Sequence, residues 1–186
     1  MKLSPKEILK PAAALLIICV VATALLALTN GVTAARIAET EREKALASRR
    51  TVMPDAADFG EEQTYESLTY CAALDADGSI VGRVYTVAAK GYGGTVGVMV
   101  GIGADGKITG IEILSHSETP GLGANSTKPA FKNRFVGKSG TLTVSKTSND
   151  GENVQAITAA TITSKAVTSA VNAALAADRA LEGGAS

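Results

Sequence analysis

Two segments of this 186-residue sequence carry side chains whose types and spacing suit chemistry better than core packing. The first, Ser115-His-Ser-Glu-Thr-Pro-Gly-Leu-Gly123, sets polar groups ahead of a Pro-Gly reversal and a second glycine. Such a loop exposes backbone N–H groups and lets another molecule approach the main chain closely, as a phosphate or a flat ring requires. An ordinary surface loop has the same composition. The second, Ala156-Ile-Thr-Ala-Ala-Thr-Ile-Thr-Ser164, runs small residues and four hydroxyls straight into a final helix. Free N–H groups and the positive end of a helix dipole favour an anion there, and a phosphate is the natural guest. The plainer reading makes the same hydroxyls helix caps and half-buried strand residues.

The elements that must hold these segments can be read from hydropathy and turn chemistry. Leu68–Leu74 and Ile80–Ala89 are β-rich runs joined by Asp75-Ala-Asp-Gly78, and Thr95–Ile102 and Ile108–Leu114 repeat the device around Ala104-Asp-Gly-Lys107. Asp and Gly suit tight reversals, so two hairpins and at least four antiparallel strands are expected. A short helix is expected over Pro129–Phe135 and a further strand over Thr141–Val144. Val167, Val171, Ala174 and Leu175 recur at helical spacing, giving a helix over Ser164–Leu181 with Thr163 or Ser164 as its N-cap. The fold class is α+β, an antiparallel sheet backed by helices.

Ahead of that domain, Pro11–Thr29 contains no charged residue, and its length matches the roughly 20 residues needed to cross a bilayer core. A retained transmembrane helix over 11–30 is expected. The rival is a cleaved signal peptide, with Lys2, Lys6 and Lys10 as its basic region and Val32-Thr33-Ala34 as a small-residue cleavage site, but the apolar run is long for that role. Residues 1–10 then form a cytoplasmic tail. The charge bias across the span is nearly flat, since Arg36, Arg42 and Lys44 follow it. Glu39, Glu41 and Glu43 interleave with those bases, which favours a cytoplasmic N-terminus. Residues 31–63 read as an Ala/Glu/Arg-rich helical stalk ended by Pro54 and an acidic linker, Asp55–Glu62. The globular domain is expected over 64–182, with a tail at 183–186.

Composition removes several functions. Lys plus Arg equal Asp plus Glu at 18 each, so no basic surplus is available for a nucleic-acid backbone, and no nucleic-acid partner is expected. Aromatics are 4% of the chain and Trp is absent, leaving a core of Val, Ile, Leu and Ala. Cys19 lies in the apolar run and Cys71 in the later domain, and His116 is the only histidine. With about four soft or imidazole ligands needed, neither a zinc site nor an iron–sulfur cluster is expected from this chain alone. Cys71 reads as a small apolar strand residue, and His116 as structural rather than a proton relay.

Val154-Gln-Ala-Ile-Thr-Ala-Ala-Thr-Ile-Thr-Ser-Lys-Ala-Val167 resembles the flavinylation segment of FMN-binding domains, Asp-x-x-Ser/Thr-Gly-Ala-Thr followed by a hydroxyl-rich turn. The stretch from Gly91 to Gly123 resembles the other half of that domain. With the span and stalk, the likeness covers nearly the whole chain and is to the G subunits of Rnf (Rsx) electron-transport complexes. The resemblance implies FMN joined by a phosphoester to Thr161, with Thr158 and Thr163 near the phosphate, Glu118, Thr119 and Leu122 near the ring, and Ala160 also among the cofactor-binding residues. It implies no catalytic residue and no metal ligand. It also implies a Mg-dependent flavin transferase that uses FAD, membrane lipid and the other Rnf subunits as partners. The work of the complex would be electron transfer between ferredoxin and NAD, coupled to Na⁺ or H⁺ translocation. Two positions depart from the pattern: the family's Asp is Gln155 and its Gly is Ala159. The Asp is part of what the transferase reads, while a methyl at 159 fits most backbone geometries unless φ is positive. The C subunit of Na⁺-translocating NADH:quinone reductase is similar in both span and threonine motif, though its chains generally run longer. A membrane-anchored FMN-binding regulator and an accessory protein that lost its flavin are the remaining alternatives.

Overall fold

The computed structural model describes residues 5–183, in which one long N-terminal helix precedes an α+β unit. Residues 1–4 and 184–186, parts of the expected tails, lie outside the described residues, as do the side chains of Lys6 and Lys10. The chain divides into two compact units, one ending at Ala45 and the other beginning at Leu46. Helix α1 spans Pro5–Val52, and its Pro11–Ala34 stretch, of mean hydropathy 2.7, is long and apolar enough to cross a membrane. Helical structure thus covers both the expected span and the expected stalk.

In the second unit, short strands β1 (Asp58–Phe59) and β2 (Gln63–Tyr65) both pair with β3 (Leu68–Leu74). The sheet continues through β4 (Ile80–Lys90), β5 (Thr95–Gly103) and β6 (Ile108–Ser115), every pairing antiparallel. Both hairpins predicted from Asp-Gly turns are present, with Gly78 and Gly106 at φ +80° and +71°, where a side chain would be strained. After a 3-10 turn at Gly123–Thr127 come α2 (Pro129–Lys132), β7 (Thr143–Ser145), β8 (Asn153–Gln155) and α3 (Thr161–Gly183). Strands β7 and β8 pair in parallel, and β8 was not expected. Helix α2 ends three residues short of the predicted Phe135, although Phe131 and Phe135 are both buried and meet edge to face at 5.3 Å.

Each face of the sheet carries its own core. On one, Val98, Val100, Ile111 and Ile113 pack under Val167, Val171, Ala174 and Leu175 of α3, the stripe legible in the sequence. On the other, Cys71, Ala73, Val84 and Met99 pack against Val52 and Met53. That second core and the pairing of β1 take in residues of the expected linker at 55–62, ahead of the expected domain start at 64. A Cβ at Gly101 or Gly82 would collide with the Val52 carbonyl or the Met53 methyl, so these glycines form a seat for the end of α1. Thr109 Oγ1 donates to the Val52 carbonyl, and Asp58–Phe59 pairs with Ala73–Leu74. The folded unit therefore takes in the segment read as spacer.

Candidate functional site

Helix α3 starts at Thr161, three residues before the sequence placed it. The Ala160 carbonyl accepts the Ser164 amide at 3.0 Å, which makes Ala160 the cap residue with no side chain able to cap. Ser164 does different work: its hydroxyl accepts the Ile157 amide at 2.9 Å and donates to the Ala160 carbonyl, closing the entry turn from inside. The amides of Thr161, Ile162 and Thr163 consequently find no acceptor among the described residues.

Thr161 forms part of the wall of a cleft of about 480 Å³, between the helix start and the loop after β6. Of the residues expected to bind cofactor, Glu118, Thr119, Leu122, Ala160, Thr161 and Thr163 all line it. Thr158 does not. It lines a neighbouring cleft with Gln155, Lys128 and Arg134, on the other side of the Thr158–Ala160 turn. Arg134 shapes that turn by donating to the Gln155 carbonyl at 2.5 Å.

Glu118, expected beside a ring, is a buried carboxylate that ties three elements together. Its Oε2 accepts the Thr163 hydroxyl at 2.5 Å, and its Oε1 accepts the Gly93 amide at 3.0 Å. Burial alone would raise its pKa. The donations from Thr163 and from the amides of Gly93 and Tyr92 outweigh it, holding the carboxyl below the usual glutamate range and therefore ionised at neutral pH. His116 Nδ1 accepts the Glu118 amide at 3.2 Å, so the histidine supports the loop. Glycines make room for this cluster: a Cβ at Gly123 would collide with both Glu118 and Thr163, and one at Gly91 with Glu118 Oε1.

The resemblance took in the β4–β5 turn, Gly91-Tyr-Gly-Gly94, but sequence reasoning gave it no role. Its composition alone marks a tight reversal, but nothing local says that Gly93 serves Glu118 or that Tyr92 lines the cleft. The structure also meets the condition under which Ala159 matters. Its φ is +61°, in the left-handed region where a Cβ is strained.

A protein-family model described as an FMN-binding domain matches residues 91–176, and a second, described as the RnfG N-terminal region, matches residues 1–52. The G subunit of the Na(+)-translocating ferredoxin:NAD(+) oxidoreductase complex of Acetobacterium woodii is 41% identical over 187 residues, covering 90% of this chain and 89% of that one. This chain belongs to the family of complex G subunits. The G subunit of the ion-translocating oxidoreductase complex of Methanosarcina acetivorans is 37% identical, over 91% of this chain and 94% of its own. Among solved structures, NqrC of Shewanella oneidensis superimposes with a TM-score of 0.50 at 21% identity, over 64% of this chain and 65% of that one. That likeness is one of fold, whereas the likeness to G subunits runs along the sequence.

The residues of this cleft fit the cofactor named by the matching domain. A cavity of 480 Å³ falls within the ~300–1,000 Å³ typical of small-molecule sites. Its walls offer exposed apolar surface at Tyr92, Leu122 and Ile162 for a flat ring, and the unbonded amides of α3 for a phosphate. No Lys or Arg lines it, so the helix start is its main source of positive potential.

Proposed function

We propose that this chain is the flavoprotein subunit of a membrane-bound Rnf-type complex, with FMN joined by a phosphoester to Thr161. In this reading it relays electrons between ferredoxin and NAD, coupled to Na⁺ or H⁺ translocation. The observation that carries it is the position of Thr161: first residue of α3, in the cleft wall, beside amides without acceptors among the described residues. A hydroxyl there delivers a phosphodiester to the one place in the cleft built for negative charge.

Bound FMN supplies a ring that takes up and returns electrons. The protein tethers, orients and shields. Thr161 Oγ holds the phosphate and has no redox role, so attachment prevents loss of the cofactor without consuming its electron-carrying atoms. Glu118 orients Thr163 at the helix start and the Gly93 amide of the facing turn, fixing the width of the cleft. Its ionised carboxylate, held at the helix start, adds fixed negative charge to the cleft wall and would lower the reduction potential of a flavin bound there. Thr119 and Leu122 form the loop wall, where the Leu122 amide donates to the Thr119 carbonyl at 3.2 Å. Thr161 is the substrate of a separate Mg-dependent flavin transferase using FAD. Thr158 lies on the far side of the turn with Gln155, away from the place this reading gives the phosphate.

Pro11–Ala34 anchors the chain in the cytoplasmic membrane with its N-terminus inside, which puts the flavin domain on the extracytoplasmic side among the other complex subunits. On denaturing gels, protein coexpressed with its transferase is expected to fluoresce, with an intact mass raised by one FMN less one water. Thr161→Ala is expected to abolish both signals. An adduct that persists in this variant overturns the assignment.

A further inference from the structure

Between residues 53 and 183 the fold leaves six large apolar side chains exposed: Ile80, Tyr92, Leu114, Leu122, Val136 and Ile162. Tyr92, Leu122 and Ile162 line the one cleft that holds Thr161. Exposed apolar surface gathered around a concavity marks a binding site, whereas single exposed residues need no explanation.

Tyr92 stands out within this group. It is the most exposed of the six, at 71%, yet the turn that carries it is closely held. The Gly91 amide donates to the Gly94 carbonyl at 2.8 Å, and the Gly93 amide donates to Glu118 Oε1 at 3.0 Å. A Cβ at Gly91 would collide with Glu118 and Val96, and one at Gly93 with the Ser117 carbonyl. The backbone on both sides of Tyr92 is therefore pressed against neighbouring chain, while the ring is left uncovered. A fixed backbone presenting a bare aromatic face loses little conformational entropy when a flat partner covers that face.

We propose that Tyr92 is the ring-facing residue of the cleft: its phenol covers one face of the isoalloxazine, with Leu122 and Ile162 against the ring's apolar edge. The inference rests on the reading of Thr161 as the attachment point and adds the residue that positions the tethered ring. Attachment through the phosphate leaves the ring free to swing about the ribityl chain. Stacking on Tyr92 is what gives it one orientation for electron exchange with a neighbour.

Light emission tests this without the assembled complex. A tyrosine stacked on a photoexcited flavin gives it one electron from the phenol and takes the electron back, so both return to the ground state without emitting. The measurement uses the full-length, transferase-matured protein in detergent and compares wild type with Tyr92→Phe and Tyr92→Ala. Emission after denaturation, where the ring is free, reports loading. Native emission per loaded flavin is expected to rise several-fold in Tyr92→Phe, which keeps the stack but is harder to oxidise. It is expected to rise at least as much in Tyr92→Ala, with iodide quenching increased in that variant alone because one ring face is uncovered. Loaded variants with native emission and iodide quenching equal to wild type would overturn the role of Tyr92 and leave the attachment intact. Wild-type protein without covalent flavin would instead overturn the attachment.

Discussion

Among the described residues of this domain two carboxylates are buried, one at each end of α3, and they are satisfied in different ways. Asp178, 2% exposed, lies near the C-terminal end, where its Oδ1 accepts the Tyr85 hydroxyl at 2.7 Å and the Arg83 guanidinium at 3.0 Å. Burial pushes the Tyr85 phenol well up, and the hydrogen bond to Asp178 pushes it further, so it stays a donor at any physiological pH. Glu118, 5% exposed, sits at the N-terminal end with no Lys or Arg in ion-pair range among the described residues. It is served by a hydroxyl and two backbone amides. The first arrangement is a closed lock between helix and sheet. The second holds two loops and the start of α3 in place while leaving the amides of α3 and the walls of a cleft unfilled. Stability is concentrated at one end of the helix and readiness for a ligand at the other.

Removing the lock is expected to have the largest effect on folding. Asp178→Ala leaves Arg83 and Tyr85 without their buried acceptor, at a cost of about 3–5 kcal/mol. Thermal unfolding in detergent should show a clear loss of melting temperature, with flavin loading unchanged in protein that remains folded. A variant that melted normally but lost flavin would break the division between the two ends.

Glu118→Gln should cost less, about 2 kcal/mol, because one charge-assisted acceptor is lost and the amide group still fits. Its signature is in the pH dependence. A carboxyl whose folded pKa is depressed contributes stability that is fully present above its unfolded value and is lost as pH falls through its lower folded value. Wild-type stability should therefore fall on acidification below the ordinary glutamate range, and Glu118→Gln should flatten that part of the curve. Identical acid profiles for the two proteins would remove Glu118 from the account.

The smallest effect concerns the strained turn. Ala159 at φ +61° carries a left-handed backbone cost of about 1–2 kcal/mol, partly offset by the stiffer unfolded chain of alanine, so Ala159→Gly is expected to raise stability by no more than about 1 kcal/mol. Chemical denaturation reads it directly, and a destabilised glycine variant would mean that the turn does not hold its left-handed geometry in solution.

The difference between the two ends also explains what the sequence revealed. The hairpins at Asp75–Gly78 and Ala104–Lys107 and the apolar stripe of α3 were legible because their causes are local: turn residues, alternation and helical spacing. Thr161 was singled out by its motif, and the structure sets it at the head of α3 in the cleft wall. The start of α3 was misplaced by three residues because its cap is the bare carbonyl of Ala160, with the entry turn closed from within by Ser164. Asp55–Glu62 read as a spacer because the seat for Val52 and Met53 is made by Gly82 and Gly101, far along the chain. The Glu118–Thr163 bond spans 45 residues, and the role of the Gly91–Gly94 turn follows from it. No local pattern records either.

The central claim is the covalent bond at the head of α3, and the tryptic peptide spanning residues 147–165, between Lys146 and Lys165, tests it most directly. Isolated from mature protein, that peptide is expected to carry the mass of one FMN less one water, with fragmentation placing the addition on Thr161. The same peptide at its unmodified mass, from protein fully exposed to its transferase and FAD, would contradict the account.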